Sequence, residues 1–148
     1  MKENAKFHVG VKALVTNDEG KILLIKAGKK VPKVLKQNFK FWDFPGGKIK
    51  AEEDIQKALV REVNEEIHTR VEPIELFDVA ISNFRDANDK NLFLMLVVYR
   101  CKLTQKDKFK LSSEHAEWEW VTIDVAKKRL LLKYPKSFVD KLDKLKLI

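Results

Sequence analysis

One cysteine, Cys101, stands among the 148 residues. A single thiol excludes an intramolecular disulfide and the disulfide-stapled class of small secreted domains. Its place at the end of an apolar segment marks it as a core or boundary residue and not a nucleophile. No stretch reaches the roughly 18 consecutive apolar residues that would span a bilayer. The opening Met1-Lys2-Glu3-Asn4-Ala5-Lys6 lacks the apolar core of a signal peptide. Internal repeats and low-complexity tracts are absent as well. The expectation is a soluble, cytoplasmic protein without a membrane partner. With 45% hydrophobic residues it can bury a proper core, and its length suits one domain over 1–148.

Acids are outnumbered: 22 against 30 basic side chains, a net charge of +8. The excess is uneven. Lys26, Lys29, Lys30, Lys33, Lys36 and Lys40 follow one another without an acid, and the chain from Lys127 onward is again lysine-rich. A basic surface attracts polyanions, nucleotides and RNA included. For the C-terminal stretch a solvated face is the better reading. The Lys26–Lys40 loop leads directly into Trp42 and Gly46, so a solvated and a substrate-facing role weigh about equally there.

The hydrophobic pattern predicts strands over Val9–Thr16 and Lys21–Ile25, joined by the turn Asn17-Asp18-Glu19-Gly20. A loop follows, with a short helical piece near Val34-Leu35, and then a short strand over Phe41–Phe44. Ile74–Phe84 reads as a long strand. Leu92–Cys101 is apolar enough for a central buried strand, and Trp118–Val121 is another. Asp124 is placed as the cap of a helix through Leu132. A last helix over Lys136–Leu145 has Phe138, Val139, Leu142 and Leu145 as its apolar side. Strands, a middle helix, then strands and helices describe an α+β layered sandwich with a mixed sheet.

The middle helix carries the chemistry. Over Glu52–Ile67, Ile55, Leu59, Val63 and Ile67 recur every four residues, with Ala58 beside them, as one apolar stripe. Glu62, Glu65 and Glu66 are related by steps of three and four, so they share another face. They fall in the last two turns, where the backbone dipole favours cations. Glu52, Glu53 and Asp54 suit the N-terminal end. Arg61 offsets only part of the charge, since a neighbour in sequence points to another side of the helix. A solvated acidic face is the ordinary reading of a Glu-rich helix. The preceding pair Gly46-Gly47 and the placement at the helix end favour a bound divalent cation instead. Carboxylate and carbonyl oxygens are hard ligands, suited to Mg²⁺ or Mn²⁺ together with phosphates.

Gly47, five residues, Glu53, seven residues, then Arg61-Glu62-Val63-Asn64-Glu65-Glu66 resembles the long motif of the Nudix hydrolase family (MutT-like), and Trp42-Asp43-Phe44-Pro45-Gly46-Gly47 resembles its usual approach. His68 stands where the family has Gly, and Thr69 where it has an aliphatic residue. Lys50 and Glu52 are a smaller departure just before Glu53. The resemblance covers about residues 7 to 132. It implies an α/β/α sandwich with a mixed sheet between helices. It also implies Mg²⁺ (or Mn²⁺) on Glu62, Glu65, Glu66 and the Gly46 carbonyl. Glu62 becomes the candidate general base, Arg61 orients a neighbouring Glu, and Gly47 and Glu53 support the loop–helix geometry. Glu62, Arg61 and Glu65 are thus the catalytic candidates. The reaction would be attack of water on a diphosphate linkage, the metal polarising phosphoryl oxygens and lowering the pKa of bound water. The substrate class would be a nucleoside diphosphate joined to another group: a nucleoside triphosphate, a nucleotide sugar such as ADP-ribose, or a dinucleoside polyphosphate.

Other candidates are weaker. The stretch Leu111–Val121 also resembles a Nudix feature, which implies an acid in the loop before the Trp118 strand as a further metal ligand or base; Glu114 and Glu117 are the candidates, weighed equally against solvated loop acids. Lys48, next to the glycine pair, and Arg85, near a strand end, are the substrate-binding candidates. His115 reads better as a surface residue, Trp118 and Trp120 share one strand face and read better as core, and His8 has no visible partner. Two alternatives stay open: hydrolysis at an RNA 5′ end, and a non-catalytic nucleotide-binding module of the same fold. Small size and the resemblance are compatible with a homodimer.

Overall fold

The computed structural model describes residues 3–27, 41–86, 88–104 and 115–147. Its first strand, β1 (Lys6–Val15), and the second, β2 (Ile22–Ala27), flank the expected turn. Gly20 takes φ 75° there. The Asn17 side chain accepts from the N–H groups of Glu19 and Lys21 at 3.0 and 2.9 Å, closing the turn as Asn at its first position commonly does. Two very short strands follow, β3 (Trp42–Asp43) and β4 (Gly46–Lys48). The helical piece expected near Val34-Leu35 lies outside the described residues. After helix α1 (Ile55–Ile67) come β5 (Val71–Arg85), β6 (Leu92–Leu103) and β7 (His115–Val121). Helices α2 (Ile123–Leu130) and α3 (Lys136–Lys141) end the chain, the latter running into a 3₁₀ turn over Leu142–Leu147.

The strands form two sheets. One has the order β4-β1-β6-β5, the other β3-β2-β7. In the first, β1 and β6 run parallel while β4 and β5 pair antiparallel, so it is mixed as expected. On one side of the two sheets, Val11, Ala13 and Val15 of β1 and Leu23 and Ile25 of β2 pack with Ala58, Leu59, Val63 and Ile67 of α1. The other carries Leu14, Ile22, Leu24 and Phe44 against α2, α3 and the 3₁₀ turn, through Leu130, Tyr134, Phe138 and Leu142. This is the expected sandwich. Each fully buried aliphatic side chain on α1 contributes roughly 1.5–3 kcal/mol relative to exposure, and together they fix that helix against the sheet.

Several boundaries differ from the sequence reading, each for a local reason. Helix α1 begins at Ile55, not Glu52. Asp54 is its N-cap, its side chain accepting from the Lys57 N–H at 3.0 Å, and Glu52 sits at φ 64°, outside any helix. Ile55, expected in the apolar stripe, is 39% exposed. Strand β5 starts before Pro73. Pro73 is tolerated because β5 is an edge strand and the ladder shifts between Pro73 and Glu75. In β6 only Leu96, Val97, Val98 and Cys101 are fully buried, because the helices cover only part of its length. Helix α2 is capped by Thr122, which accepts from the Val125 N–H, and Asp124 lies in its first turn.

His68 ends α1 at φ 54°, ψ 36°, and its N–H donates to the Asn64 carbonyl at 3.0 Å. The left-handed turn after the helix is therefore made without glycine. A non-glycine residue there costs on the order of 1 kcal/mol, partly offset by the smaller entropy it loses on folding. His68→Gly is thus expected to add about 0.5 kcal/mol and to raise Tm by about 1–2 °C. Urea and thermal unfolding measure this directly, and an unchanged or lowered stability would refute the strain.

Candidate active site

The glycine pair lies in β4 directly across from β1, with Gly46 opposite Lys12 and Gly47 opposite Val11. Just before it, the Pro45 carbonyl accepts from the Ala13 N–H at 2.8 Å. The two glycines are needed for different reasons. Gly46 has φ 139°, and a Cβ there would collide with the Val11 carbonyl. A Cβ on Gly47 would instead run into the Glu62 carboxylate, 2.5 Å from its Cδ. Helix α1 packs so closely on the loop that Glu62 occupies the place of a side chain at 47.

Arg61 organises the acids. Its Nε and Nη2 meet Glu53 in a two-point fork at 2.5 and 2.8 Å. Its Nη1 reaches Glu62 at 3.0 Å and both oxygens of Glu65 at 3.2 Å. This corrects the view that a sequence neighbour must point away from Glu62, because the long guanidinium folds back along the helix. Glu66, buried, accepts the Gly46 N–H through Oε1, so loop and helix are joined at a second point. Burial pushes the Glu62 carboxyl up, and the charges of Glu65 and Glu66 add to this against the pull of Arg61. Glu53, by contrast, is drawn down to about 2, first by the Arg61 hydrogen bonds and then by the Lys50 N–H.

Gly46, Glu62 and Glu66 are therefore in one place, and Glu65 is tied to it through Arg61. Among the described residues no three acids, histidines or cysteines converge on a single point. Arg61 holds Glu62 and Glu65 from the side, and Glu66 is engaged by the backbone. The donor set still fits a hard divalent cation. It consists of carboxylate oxygens and a carbonyl, one carboxyl is raised by burial and, beyond that, by like charges, and the last turn of α1 contains no basic residue of its own.

A second cluster, missed in the sequence, lies beneath the loop. Asp43, Lys12 and Lys133 are all buried. Asp43 Oδ2 meets Lys12 at 3.0 Å and Lys133 at 2.5 Å. Its Oδ1 accepts the Phe44 N–H at 2.7 Å and the Tyr134 hydroxyl at 2.6 Å. Lys12 also donates to the carbonyls of Gly46 and Phe44 at 3.2 and 3.5 Å. Burial works against every charge here, yet the two ammonium groups hold Asp43 well below the usual carboxylate range. The charges of Asp43 and Glu66 outweigh burial for Lys12 and raise it, whereas Lys133, desolvated and facing Lys12, is lowered. A signal existed in the sequence: Lys12 shares the strand phase of core residue Leu14, and Asp43 sits between two aromatics.

Other candidates fall elsewhere. Lys48 pairs with Asp86 at 3.6 Å, and Arg85 stacks on the Phe93 ring at 4.1 Å. His8 has a partner after all, Asp86 at 3.4 Å. Glu117 is exposed beside Lys26 at 3.7 Å, while Glu114 and the lysines from Lys29 to Lys40 lie outside the described residues. Trp120 packs on the α1-side core and Trp118 is 40% exposed. The Cys101 thiol is buried and pushed up to about 12 by that burial, which makes it unreactive. Among the described residues no helix is long and apolar enough to cross a membrane.

A family model for the NUDIX domain matches residues 6–142. The chain belongs to the Nudix family. It is 28% identical over 135 residues to a MutT-like protein of Streptomyces ambofaciens, covering 91% of this chain and 77% of that one. It is 36% identical over 66 residues to an 8-oxo-dGTP diphosphatase of Proteus vulgaris, a match spanning 45% of this chain and 59% of that protein. Among solved structures, a MutT protein from Methanosarcina mazei Go1 superposes with a TM-score of 0.74 at 23% identity, covering 99% of this chain and 97% of that one. That last likeness is one of fold.

Two experiments probe this arrangement. Gly46→Ala is expected to cost about 2–4 kcal/mol in urea unfolding, from strain and overlap with β1. Gly47→Ala should leave the fold near wild type, because Glu62 can swing aside, yet weaken divalent-cation binding. Equal effects of the two on stability would contradict the distinct roles. The second concerns pH. The folded-state value of Glu53 lies below its ordinary 4.5, at about 2. Its stabilising contribution is therefore complete above about pH 4.5 and lost as pH falls through about 2. Glu53→Gln should flatten the stability–pH profile across that window, and parallel profiles for the two proteins would rule the pairing out.

Proposed function

We propose that this protein is a Mg²⁺- or Mn²⁺-dependent hydrolase of phosphoric anhydrides in small nucleotides, acting as a single domain. The observation that carries the reading is the double junction of loop and helix: Glu62 packed on Gly47 and Glu66 bound to the Gly46 N–H. It gathers oxygen donors where the helix end itself repels anions. Glu62, Glu65, Glu66 and the Gly46 carbonyl would hold the cation, which supplies charge neutralisation for the phosphates and acidifies water. Glu62, raised by burial and its acidic neighbours, is suited to take the proton from water attacking phosphorus. The anhydride P–O bond then breaks, the leaving nucleoside monophosphate or pyrophosphate keeps the bonding electrons, and the proton from water ends on Glu62. Arg61 holds Glu62 and Glu65 in place. The left-handed turn at His68 preserves the helix end despite the missing glycine, which speaks for an enzyme over a non-catalytic module.

Among substrates, a nucleoside triphosphate, oxidised forms included, is the first choice, because the curated relatives carry MutT-like and 8-oxo-dGTP diphosphatase names. Much of the C-terminal lysine surface is occupied by acids: Lys127 with Asp143, Lys136 with Asp140, Lys141 with Asp78 and Lys146 with Asp124, all within 3.0 Å. That favours a small nucleotide over an RNA end.

The test is product analysis on a panel of triphosphates, oxidised triphosphates, ADP-ribose, dinucleoside polyphosphates and triphosphorylated RNA, with Mg²⁺ or Mn²⁺. Metal-dependent release of a nucleoside monophosphate and pyrophosphate from a triphosphate is expected. Glu66→Gln should lower that turnover by about 100-fold or more with little change in unfolding midpoint. Full activity in this variant, or no metal dependence in the wild type, would defeat the proposal.

A further inference from the structure

We propose that Lys12 is a positioning residue of the metal site, fixing the Gly46 carbonyl from below. This rests on the metal-dependent reading above. The first support is redundancy. Asp43 is satisfied without Lys12: Oδ1 by the Phe44 N–H and the Tyr134 hydroxyl, Oδ2 by Lys133. Asp43 and Lys133 alone form a neutral buried pair. A second buried ammonium adds a desolvation cost of several kcal/mol, which the charge of buried Glu66 helps to offset. Its remaining hydrogens go to two carbonyls of the loop, Gly46 at 3.2 Å and Phe44 at 3.5 Å.

The second support is the peptide that Lys12 touches. Gly46 sits at φ 139°, a region that L side chains rarely adopt, and without a side chain the residue has no packing to hold its orientation. The two peptide units that meet at Gly46 are set instead by one hydrogen bond each. The N–H donates to Glu66 and the carbonyl accepts from Lys12. Partners of this kind, one step behind a ligand, govern metal affinity through ligand orientation.

Electrostatics alone would give the opposite sign. Deleting a cation near a cation site should tighten metal binding, whereas deleting an orienting bond should loosen it. Lys133 is the internal control, for it shares Asp43 but makes its other close approaches to the rings of Phe41 and Phe84.

The experiment is Mn²⁺ binding to the full chain, followed by electron paramagnetic resonance of the free ion, for wild type, Lys12→Met and Lys133→Met. Unfolding midpoints are recorded alongside, and Lys12→Gln is the second variant if the Met form does not fold. Lys12→Met should bind Mn²⁺ about 10-fold or more weakly, and Lys133→Met within about 3-fold of wild type. Raising Mn²⁺ should then restore turnover in Lys12→Met, a loss in metal affinity and not in kcat. Unchanged or tighter binding by Lys12→Met, or equal losses in both variants, would overturn the proposal alone. Failure of the wild type to bind Mn²⁺ would overturn the metal-dependent reading and this proposal with it.

Discussion

The two peptide units that meet at Gly46 are gripped on either side of it, by Glu66 of α1 on the Gly46 N–H and by Lys12 of β1 on the Gly46 carbonyl. The site is arranged around that grip. It fixes the distance between the mixed sheet and the helix, because Gly47 follows immediately and leaves just enough room for the Glu62 carboxylate. It explains why β4 is a strand of only three residues. Its role is to deliver two glycines against β1, and the short ladder to Gly10, Val11 and Lys12 suffices for that. The apolar face of α1 supplies the energy that holds the helix down, and the polar junction decides where along the loop it lands.

Charge is balanced locally, not across the chain. The net excess is basic, yet the acids of α1 are met one by one. Arg61 takes Glu53, Glu62 and Glu65 on one side. Lys12 lies on the other, within the field of Glu66 and Glu62. Buried ion pairs seldom add stability over well-packed apolar residues, so the Lys12–Asp43–Lys133 array is better understood as a device for specificity of position. Four donors on one carboxylate leave Asp43 a single arrangement. That arrangement links β3, through Asp43, to the loop after α2, where the Ser82 hydroxyl and the Asn83 amide bind the backbone of Lys133 and its neighbours.

Legibility in the sequence followed the range of the interaction. Local periodicity revealed α1 through Leu59, Val63 and Ile67, the Asn17–Gly20 turn and the apolar β6, because each depends on residues a few positions apart. The motif located Gly47, Glu53, Arg61, Glu62 and Glu66 for the same reason. What escaped was set by long-range partners. Asp43 and Lys133 are 90 residues apart, and no local pattern announces their meeting. Asp86, just past β5, joins His8 of β1 and Lys48 of β4. Strand β4 was hidden because glycines carry no alternation, and Pro73 masked the start of β5 because its tolerance depends on the strand lying at a sheet edge. Arg61 was misjudged from helical spacing alone, which ignores the reach of a long side chain.

Among the described residues, the two non-glycine ones in left-handed backbone, Glu52 and His68, bracket α1. Both lie just outside the helix, one before Glu53 and one after Glu66. Strain at such positions persists only where the surroundings over-determine the backbone. Here the surroundings are the Glu53–Arg61 fork at one end and, at the other, the buried Ile67 and Thr69. Beyond its Asp54 cap, the helix is thus held at both ends by its tertiary neighbours. A chain that places three carboxylates at the unfavourable end of a helix, and does so without the usual glycine stop, relies on tertiary packing to keep them there. That reliance is what ties the chemistry of the acids to the integrity of the fold around Gly46.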